Sequence, residues 1–576
     1  MKYSPLLVFV LLVASLQCAR QTTPTGGPRD SIPPVLINSI PADEATGYKG
    51  ERIELTFNEA VTLNNPREQL LITPTVGKDF EMTVRKNTVY LELNTGLRDS
   101  TTYTINFRES IQDITEKNPA PNLQIAVSTG SYIDSLSIHG YVYQLLRSTP
   151  VENAAVALYL DRDTFNIFAH TPEYLTLTDK NGVFHFENLK PAVYYIYAFS
   201  DKNRNIVVDS RTEQYGFLRN AVLLTPGYDT FLEIPILSLD TRKLRLISAR
   251  PYNSYFNIRT SKSVDSYSIK PVSPDDSVLL HHSFGDDQAN VRIYMPEIKS
   301  DSIGVRFTAR DSLGYLLDTL LYAKLAPRES AQEPFVVTAE KATLPLDNYI
   351  LLSRAFSNKP IRAVTYDSIL FLLDSLTTIP ISPADITIEG QTRLILRKPI
   401  SPELFPGQFT DAAAQEDFRS ARPKQSDTQI NKLRFGQSAF ISIENDSSKR
   451  MEVDVDILRP DNTGIIIVRA ETEEPHFILQ LLNKDYSINQ SHVNQKNITF
   501  RNLRPGDYML NLVIDRNNNQ RWDAGNFFLR EEPEPITFYK NDEGQTAINI
   551  KANWELGPLL ITYPPGVENN GITPPR

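Results

Sequence analysis

The chain has 576 residues, with 59 Lys and Arg against 69 Asp and Glu, a formal charge of −10, and 41% hydrophobic and 22% charged residues. At roughly 100–200 residues per domain this length divides into about three to five domains; the ordinary apolar and charged fractions exclude wholesale disorder and a polytopic membrane protein, and the acidic balance argues against a nucleic-acid partner. With 39 Pro, 24 Gly, 26 Tyr and 27 Phe the chain favours extended strands and Pro-marked turns, so an all-β fold is predicted, and its one Cys, Cys18, excludes intramolecular disulfides and Cys-based zinc sites.

The N-terminus begins Met1-Lys2-Tyr3 and continues into an apolar run from Leu6 to Leu16, too short to span a bilayer and typical of a signal-peptide core. The run ends at Ser15-Leu16-Gln17-Cys18, which resembles a bacterial lipobox, although Gln17 stands where that motif usually has a small residue. The resemblance implies a signal peptide over 1–17, lipidation at Cys18, and a tether over 18–29 whose Thr, Pro and Gly content cannot bury surface. The lipid would be the sole membrane anchor, placing the chain in the cell envelope as an outer-membrane lipoprotein facing either the periplasm or the cell surface.

From Asp30 the apolar residues alternate. Ile53, Leu55 and Phe57, then Val89, Leu91 and Leu93, then Tyr103, Ile105 and Phe107 predict half-buried strands separated by turns such as Asn64-Asn65-Pro66, the spacing of a β-sandwich. The segments Asp30-Ser31-Ile32-Pro33-Pro34, Ser39-Ile40-Pro41-Ala42-Asp43, Ile53 to Val61 and Leu97 to Thr104 together resemble the S-layer type of bacterial Ig-like domain, over 30–131. That family often has a Gly-Asn pair after an aspartate, where this chain reads Asp113-Ile114-Thr115-Glu116-Lys117-Asn118.

A duplication follows. Phe184 to Tyr194 (FHFENLKPAVY) matches Ile498 to Tyr508 (ITFRNLRPGDY) at a constant offset of 314 residues, which also carries Asp201-Lys202-Asn203-Arg204-Asn205 onto Asp515-Arg516-Asn517-Asn518-Asn519 and Asp209 onto Asp523. Two copies of one domain are predicted, at 133–240 and 446–560. The aromatic strand, the Asn-Leu-basic-Pro turn and the following Tyr resemble prealbumin-like domains, the class containing carboxypeptidase regulatory-like and collagen-adhesin B-type modules. Between the copies, alternation at Val291, Ile293 and Met295 and at Ile303, Val305 and Phe307 predicts a β-sandwich over 241–335. A divergent Ig-like β-domain is expected over 336–445, with Asp411 to Arg422, containing Ala412-Ala413-Ala414 and closed by Pro423, as an inserted helix or loop. The tail, 561–576, is expected to be disordered.

The repeated Asp-x-Asn-x-Asn run is the strongest candidate for chemistry, because oxygen ligands at alternate loop positions can converge on Ca2+. The first set is Asp201, Asn203, Asn205 and Asp209, and the second Asp515, Asn517, Asn519 and Asp523. Both resemble the first half of an EF-hand loop but carry Ile206 or Gln520 at the sixth position instead of Gly, and Thr212 or Asn526 at the twelfth instead of Glu. Glu213 lies one place further on, where the second copy has Phe527. Two readings fit: an Asx-rich turn that caps its own backbone, or a calcium site whose two carboxylates give an affinity on the order of 10⁻⁴ M or weaker.

Other chemistry is sparse. His281 and His282 are adjacent on a predicted strand and so face opposite sides, and the remaining histidines, 139, 170, 185, 476 and 492, have no metal-ligand spacing. No His-Glu-x-x-His, Gly-x-Ser-x-Gly or Walker loop occurs. Tyr194, Tyr195, Tyr197 and Phe199 crowd one strand, so at least one face is apolar; the set is read as core packing, with an exposed Tyr face of the kind carbohydrate- and protein-binding β-modules use as the alternative. The expected function is a non-catalytic lipid-anchored envelope scaffold or adhesion protein. Its partner would be an envelope protein recruited to strand edges, or a glycan if the chain is a polysaccharide-binding or polysaccharide-processing accessory.

Overall fold

The computed structural model describes residues 31–563 except 51, 78, 161–164, 253, 273–279, 296–300, 325–332 and 406–428. The expected signal peptide, Cys18, the tether, the Asp411–Arg422 insertion and the tail beyond Tyr563 lie outside the described residues. Among the described residues the helical elements are one four-residue helix, Pro66–Gln69, and three 3-10 turns; the rest of the regular structure is strand. The fold is all-β.

The N-terminal unit is a sandwich. One sheet orders Leu36–Ile40, Ile53–Phe57, Thr88–Leu93 and Phe80–Arg85; the other orders Leu71–Thr73, Thr102–Asn106 and Gln124–Ser128. Period-two alternation puts Ile53, Leu55, Phe57, Val89 and Leu91 on one inner face and Ile105, Phe107, Ile125 and Val127 on the other, all buried in one core. The Tyr103 hydroxyl accepts the Arg98 backbone N–H at 2.8 Å, a tyrosine corner that fixes the chain entering its strand. Where the family pattern has glycine, Lys117 takes a left-handed φ of 65°. The Asp113 carboxylate holds that turn by accepting the N–H groups of Glu116, Lys117 and Asn118 at 2.6, 3.0 and 3.1 Å.

The two repeats share their main strand pairings, though Gln214–Phe217 pairs with Phe231–Ser238 and joins the first repeat into one nine-stranded sheet, where the second has separate sheets of three and five strands. In the first, Leu136–Gln144 pairs antiparallel with Val183–Leu189 and parallel with Phe231–Ser238. In the second, Gly464–Thr472 pairs antiparallel with Asn497–Leu503 and parallel with Glu555–Tyr563. The remaining strands centre on Ala192–Phe199 and Gly506–Ile514, with Tyr197 opposite Phe217 in one and Asn511 opposite Phe538 in the other. The shared turn explains the shared sequence. Asn188 and Asn502 adopt φ of 56° and 59°, and the Tyr194 and Tyr508 hydroxyls each donate at 2.9 Å to the carbonyl before the turn proline, of Lys190 and Arg504. The same asparagine reaches back to the preceding unit in both copies: Asn188 Nδ2 donates to Thr104 Oγ1 (3.1 Å), and Asn502 Nδ2 to Asp347 Oδ2 (2.9 Å).

Between the repeats, a four-stranded sheet (Leu246–Tyr252, Tyr255–Thr260, Asn290–Tyr294, His281–Phe284) faces a three-stranded one (Ser266–Pro271, Ile303–Arg310, Leu316–Ala323) over a core containing Phe256, Ile293, Val305 and Phe307. The next unit has one long sheet in which Ile350–Ser357 and Gln429–Phe435 belong to a single path, with Ile361–Val364 and Phe440–Ser442 paired as a separate two-stranded ribbon on the same core. Met451–Leu458, expected in the second repeat, completes this sheet instead, pairing parallel with Ala342–Pro345 and antiparallel with Gln429–Phe435. The second repeat opens at Gly464–Thr472, and its last strand runs through Tyr563, past the expected boundary at 560. Alternation identified these strands but not their partners, which lie far off in sequence.

Candidate functional site

Each Asp/Asn run folds as the turn leaving a central strand, Ala192–Phe199 or Gly506–Ile514. Asp201 accepts the N–H groups of Asn205 (3.1 Å) and Ile206 (2.9 Å), and Asp515 those of Asn519 (3.0 Å) and Gln520 (2.8 Å). The bends are left-handed at matching positions, Arg204 and Ile206 in one copy and Asn518 and Gln520 in the other. The sequence presents Glu213 without a counterpart, and the structure supplies one. Glu213 accepts the N–H groups of Lys202 and Asp209, both at 2.9 Å; Glu534 accepts those of Arg516 (2.7 Å) and Asp523 (2.9 Å), the same two loop positions. Both glutamates are buried. Burial, with Asp523 and Asp515 nearby, pushes the Glu534 carboxyl above its ordinary range against the two N–H donors, while the Arg211 N–H and Thr212 hydroxyl hold Asp209 below its own.

The match was hidden by an insertion. Ten residues, 524–533, separate Asp523 from Glu534 where three, 210–212, separate Asp209 from Glu213. The longer loop docks on the first repeat. Phe527 enters a box of aromatic rings, with centroids 5.0 Å from Phe168, 5.4 Å from Phe217 and 5.9 Å from Tyr215. Arg530 donates to the Tyr197 hydroxyl (2.7 Å), the Leu218 carbonyl (2.6 Å) and the Arg219 carbonyl (3.0 Å) and lies over the Tyr195 ring at 5.2 Å. The Glu532 carboxylate accepts the Arg219 N–H at 2.7 Å. Trp522 closes the loop's base, its indole N–H donating to the Glu534 carbonyl at 3.0 Å. The loop also reaches the middle of the chain, through Asn526 to the Leu313 carbonyl (3.0 Å) and Arg521 to Asp265 (2.9 Å).

This docking accounts for the crowded strand. Tyr194 packs inside the first repeat, whereas Tyr195, Tyr197 and Phe199 form the opposite face, with Trp522, Ala524 and Phe527 against that cluster. The other sequence candidates separate. His281 meets Gln391 and His282 meets the Tyr267 hydroxyl, each at 3.1 Å, on opposite sides of their strand. His139 and His185, 46 residues apart and without sequence spacing, are cross-strand partners with ring centroids 6.2 Å apart. Among the described residues no three His, Cys, Asp or Glu side chains are placed to hold a metal ion as they stand. Nor is any helix among them long and apolar enough to cross a membrane.

Residues 30–129 match the family model of the bacterial Ig-like domain. The match covers the segment in which the sequence motifs fall and the tyrosine corner forms. No curated protein matches the chain. Solved structures similar to it include BcpA, the major pilin subunit of Bacillus cereus (12% identity over 75% of this chain and 99% of that chain, TM-score 0.13). Surface layer protein SbsC, domains 1–6, matches at 10% identity over 89% of this chain and 67% of that chain, TM-score 0.16. The I9–I11 tandem from titin matches at 8% identity over 48% and 93%, TM-score 0.12. TM-scores this low leave no common overall shape, so no role follows from these pairs.

Proposed function

We propose that the chain is a non-catalytic, lipid-anchored scaffold of the cell envelope, attached through Cys18, whose two prealbumin-like repeats grip one another and hold the intervening units in a fixed array. The observation that carries this reading is the docking of the 524–533 loop. A half-buried, multiply hydrogen-bonded contact between units more than 300 residues apart serves rigidity, and the Phe527 ring and the Arg530 guanidinium are engaged in it. The buried charged groups elsewhere are similarly spent: Lys359 is enclosed by Glu444 and Asp446, both at 2.5 Å.

Two measurements test it. Cys18→Ala should release the chain from the membrane fraction; unaltered membrane association rejects the anchor. Turnover of a polysaccharide or peptide substrate by the purified chain rejects the non-catalytic reading. Calcium at the two loops is a second reading, favoured by one observation: the loop recurs with one geometry, Asp201 and Asp515 accepting N–H groups at matching positions and Asp209 and Asp523 standing at the same offset.

A further inference from the structure

The junction between the repeats also borders an open cleft of about 760 Å³, within the range of roughly 300–1,000 Å³ usual for small-ligand sites, which favour such interfaces between units. Its apolar wall includes Phe165 and Phe168 from the first repeat and Phe528 from the inserted loop of the second; its polar wall includes Asn203, Asn205 and Arg242. We propose that this cleft binds a neutral oligosaccharide, a function that goes beyond scaffolding and does not depend on it.

The argument starts from a difference between the two Asp/Asn loops. In the second repeat Asn517 and Asn519 both turn their side-chain N–H groups onto Asp523 Oδ2, at 2.6 and 2.5 Å, so the loop closes on itself. In the first, Asp209 Oδ2 takes the Thr212 hydroxyl at 3.0 Å instead, and Asn203, Asn205 and Asp209 all line the cleft. The loop's own N–H groups occupy the Asn203 and Asn205 side-chain oxygens (3.0 and 2.8 Å), which turns the two amide NH2 groups outward as donors, while the carboxylate oxygens of Asp209 each keep a second lone pair as acceptors, the mixed set that vicinal hydroxyls require. Arg242 adds a guanidinium held in place by Asp240 through Nε (2.8 Å) and Nη2 (2.5 Å). Two carboxylates, Asp209 and Asp240, stand against that one cation, which disfavours an acidic sugar or a phosphate. The phenylalanines supply the faces and edges on which the C–H side of a sugar ring packs. Phe528, 54% exposed, touches the Phe527 and Tyr315 rings with centroids 5.5 and 6.1 Å away and presents the rest of its ring to the cleft.

The test is a glycan array of neutral oligosaccharides probed with the full chain, followed by calorimetric titration of the best ligand with wild type, Asn205→Ala and Phe528→Ala. Both residues are exposed; because Asn205 also caps the Val207 N–H at 2.8 Å, Asn205→Asp, which keeps that cap and removes the amide donors, is titrated beside Asn205→Ala and should weaken binding alike at the wild-type melting temperature. Saturable binding weakened about fivefold to tenfold by each substitution is expected, the worth of a hydrogen bond or a ring contact. Trp554→Ala, an exposed aromatic outside the cleft, should leave the affinity unchanged. An array with no neutral ligand, or a ligand whose affinity survives both cleft substitutions, overturns the proposal. Either outcome leaves the anchoring and scaffold readings to their own tests.

Discussion

Arg530 of the second repeat donates a 2.7 Å hydrogen bond to the Tyr197 hydroxyl of the first, across 333 residues of sequence. The guanidinium is planar and also serves two backbone carbonyls, so lysine, a compact point charge, cannot replace it. Arg530→Lys and Phe527→Ala should each weaken the junction by about 1–3 kcal/mol. The measurement is hydrogen exchange. Faster exchange over 524–533 and 214–219, with the cores of both repeats unaffected, is expected; uniform protection would mean the loop contributes nothing to the contact.

Glu213 and Glu534 make the same two backbone contacts, but only the Glu534 loop carries the insertion. Glu534→Ala strands two N–H groups, costing about 1–3 kcal/mol, and should also loosen the docked loop. Glu213→Ala should lower the melting temperature of the first repeat and leave 524–533 protected. Equal exchange in that loop for both variants would show that the glutamate does not position it.

Calcium is tested by thermal unfolding of the full chain in millimolar Ca2+ and in chelator. Two occupied loops predict a raised melting temperature that Asp201→Asn and Asp515→Asn each lower. An unchanged midpoint assigns the loops to Asx turns alone.

Burial alone would raise the Asp113 pKa, but the N–H groups of Glu116, Asn118 and Lys117 outweigh it and hold the carboxyl at about 2. The unfolded value is about 3.9. The stabilisation is therefore complete above that value and is lost as pH falls toward 2. Asp113→Asn should flatten the acid limb of the Ig-like domain's stability profile between about pH 5 and 2; an unchanged slope would place the acid sensitivity elsewhere.

Lys359 is 1% exposed, and its two carboxylate partners outweigh burial to keep its pKa above the ordinary value. Lys359→Met leaves Glu444 and Asp446 uncompensated and should cost about 3–5 kcal/mol. Adding Glu444→Gln and Asp446→Asn should recover part of that loss, measured by chemical denaturation. No recovery would show that packing, not charge, sets the cost.

Local patterns were legible in the sequence. Alternation at Ile53, Leu55 and Phe57 identified a strand and its buried face, and the 314-residue offset identified the duplicated turn that Tyr194 and Tyr508 close. What the sequence concealed was non-local. Glu534 was missed because an ungapped comparison runs into the insertion; the shared spacing from Glu213 to Phe217 and from Glu534 to Phe538 is the trace that marks it. Met451–Leu458 alternates as any strand does, and only pairing reveals its unit. The excess of tyrosine on Ala192–Phe199 pointed to core packing or an exposed Tyr face, and nothing local marked Phe527 as the residue that packs on it.

The grip between the repeats makes the chain a closed circuit. A protease that cuts once between Leu239 and Gly464 severs the covalent path, yet both pieces remain joined by Phe527, Arg530 and Glu532 against the first repeat. A nicked protein would thus migrate as one particle until denatured, and an anchor at Cys18 would retain the C-terminal half without a continuous backbone.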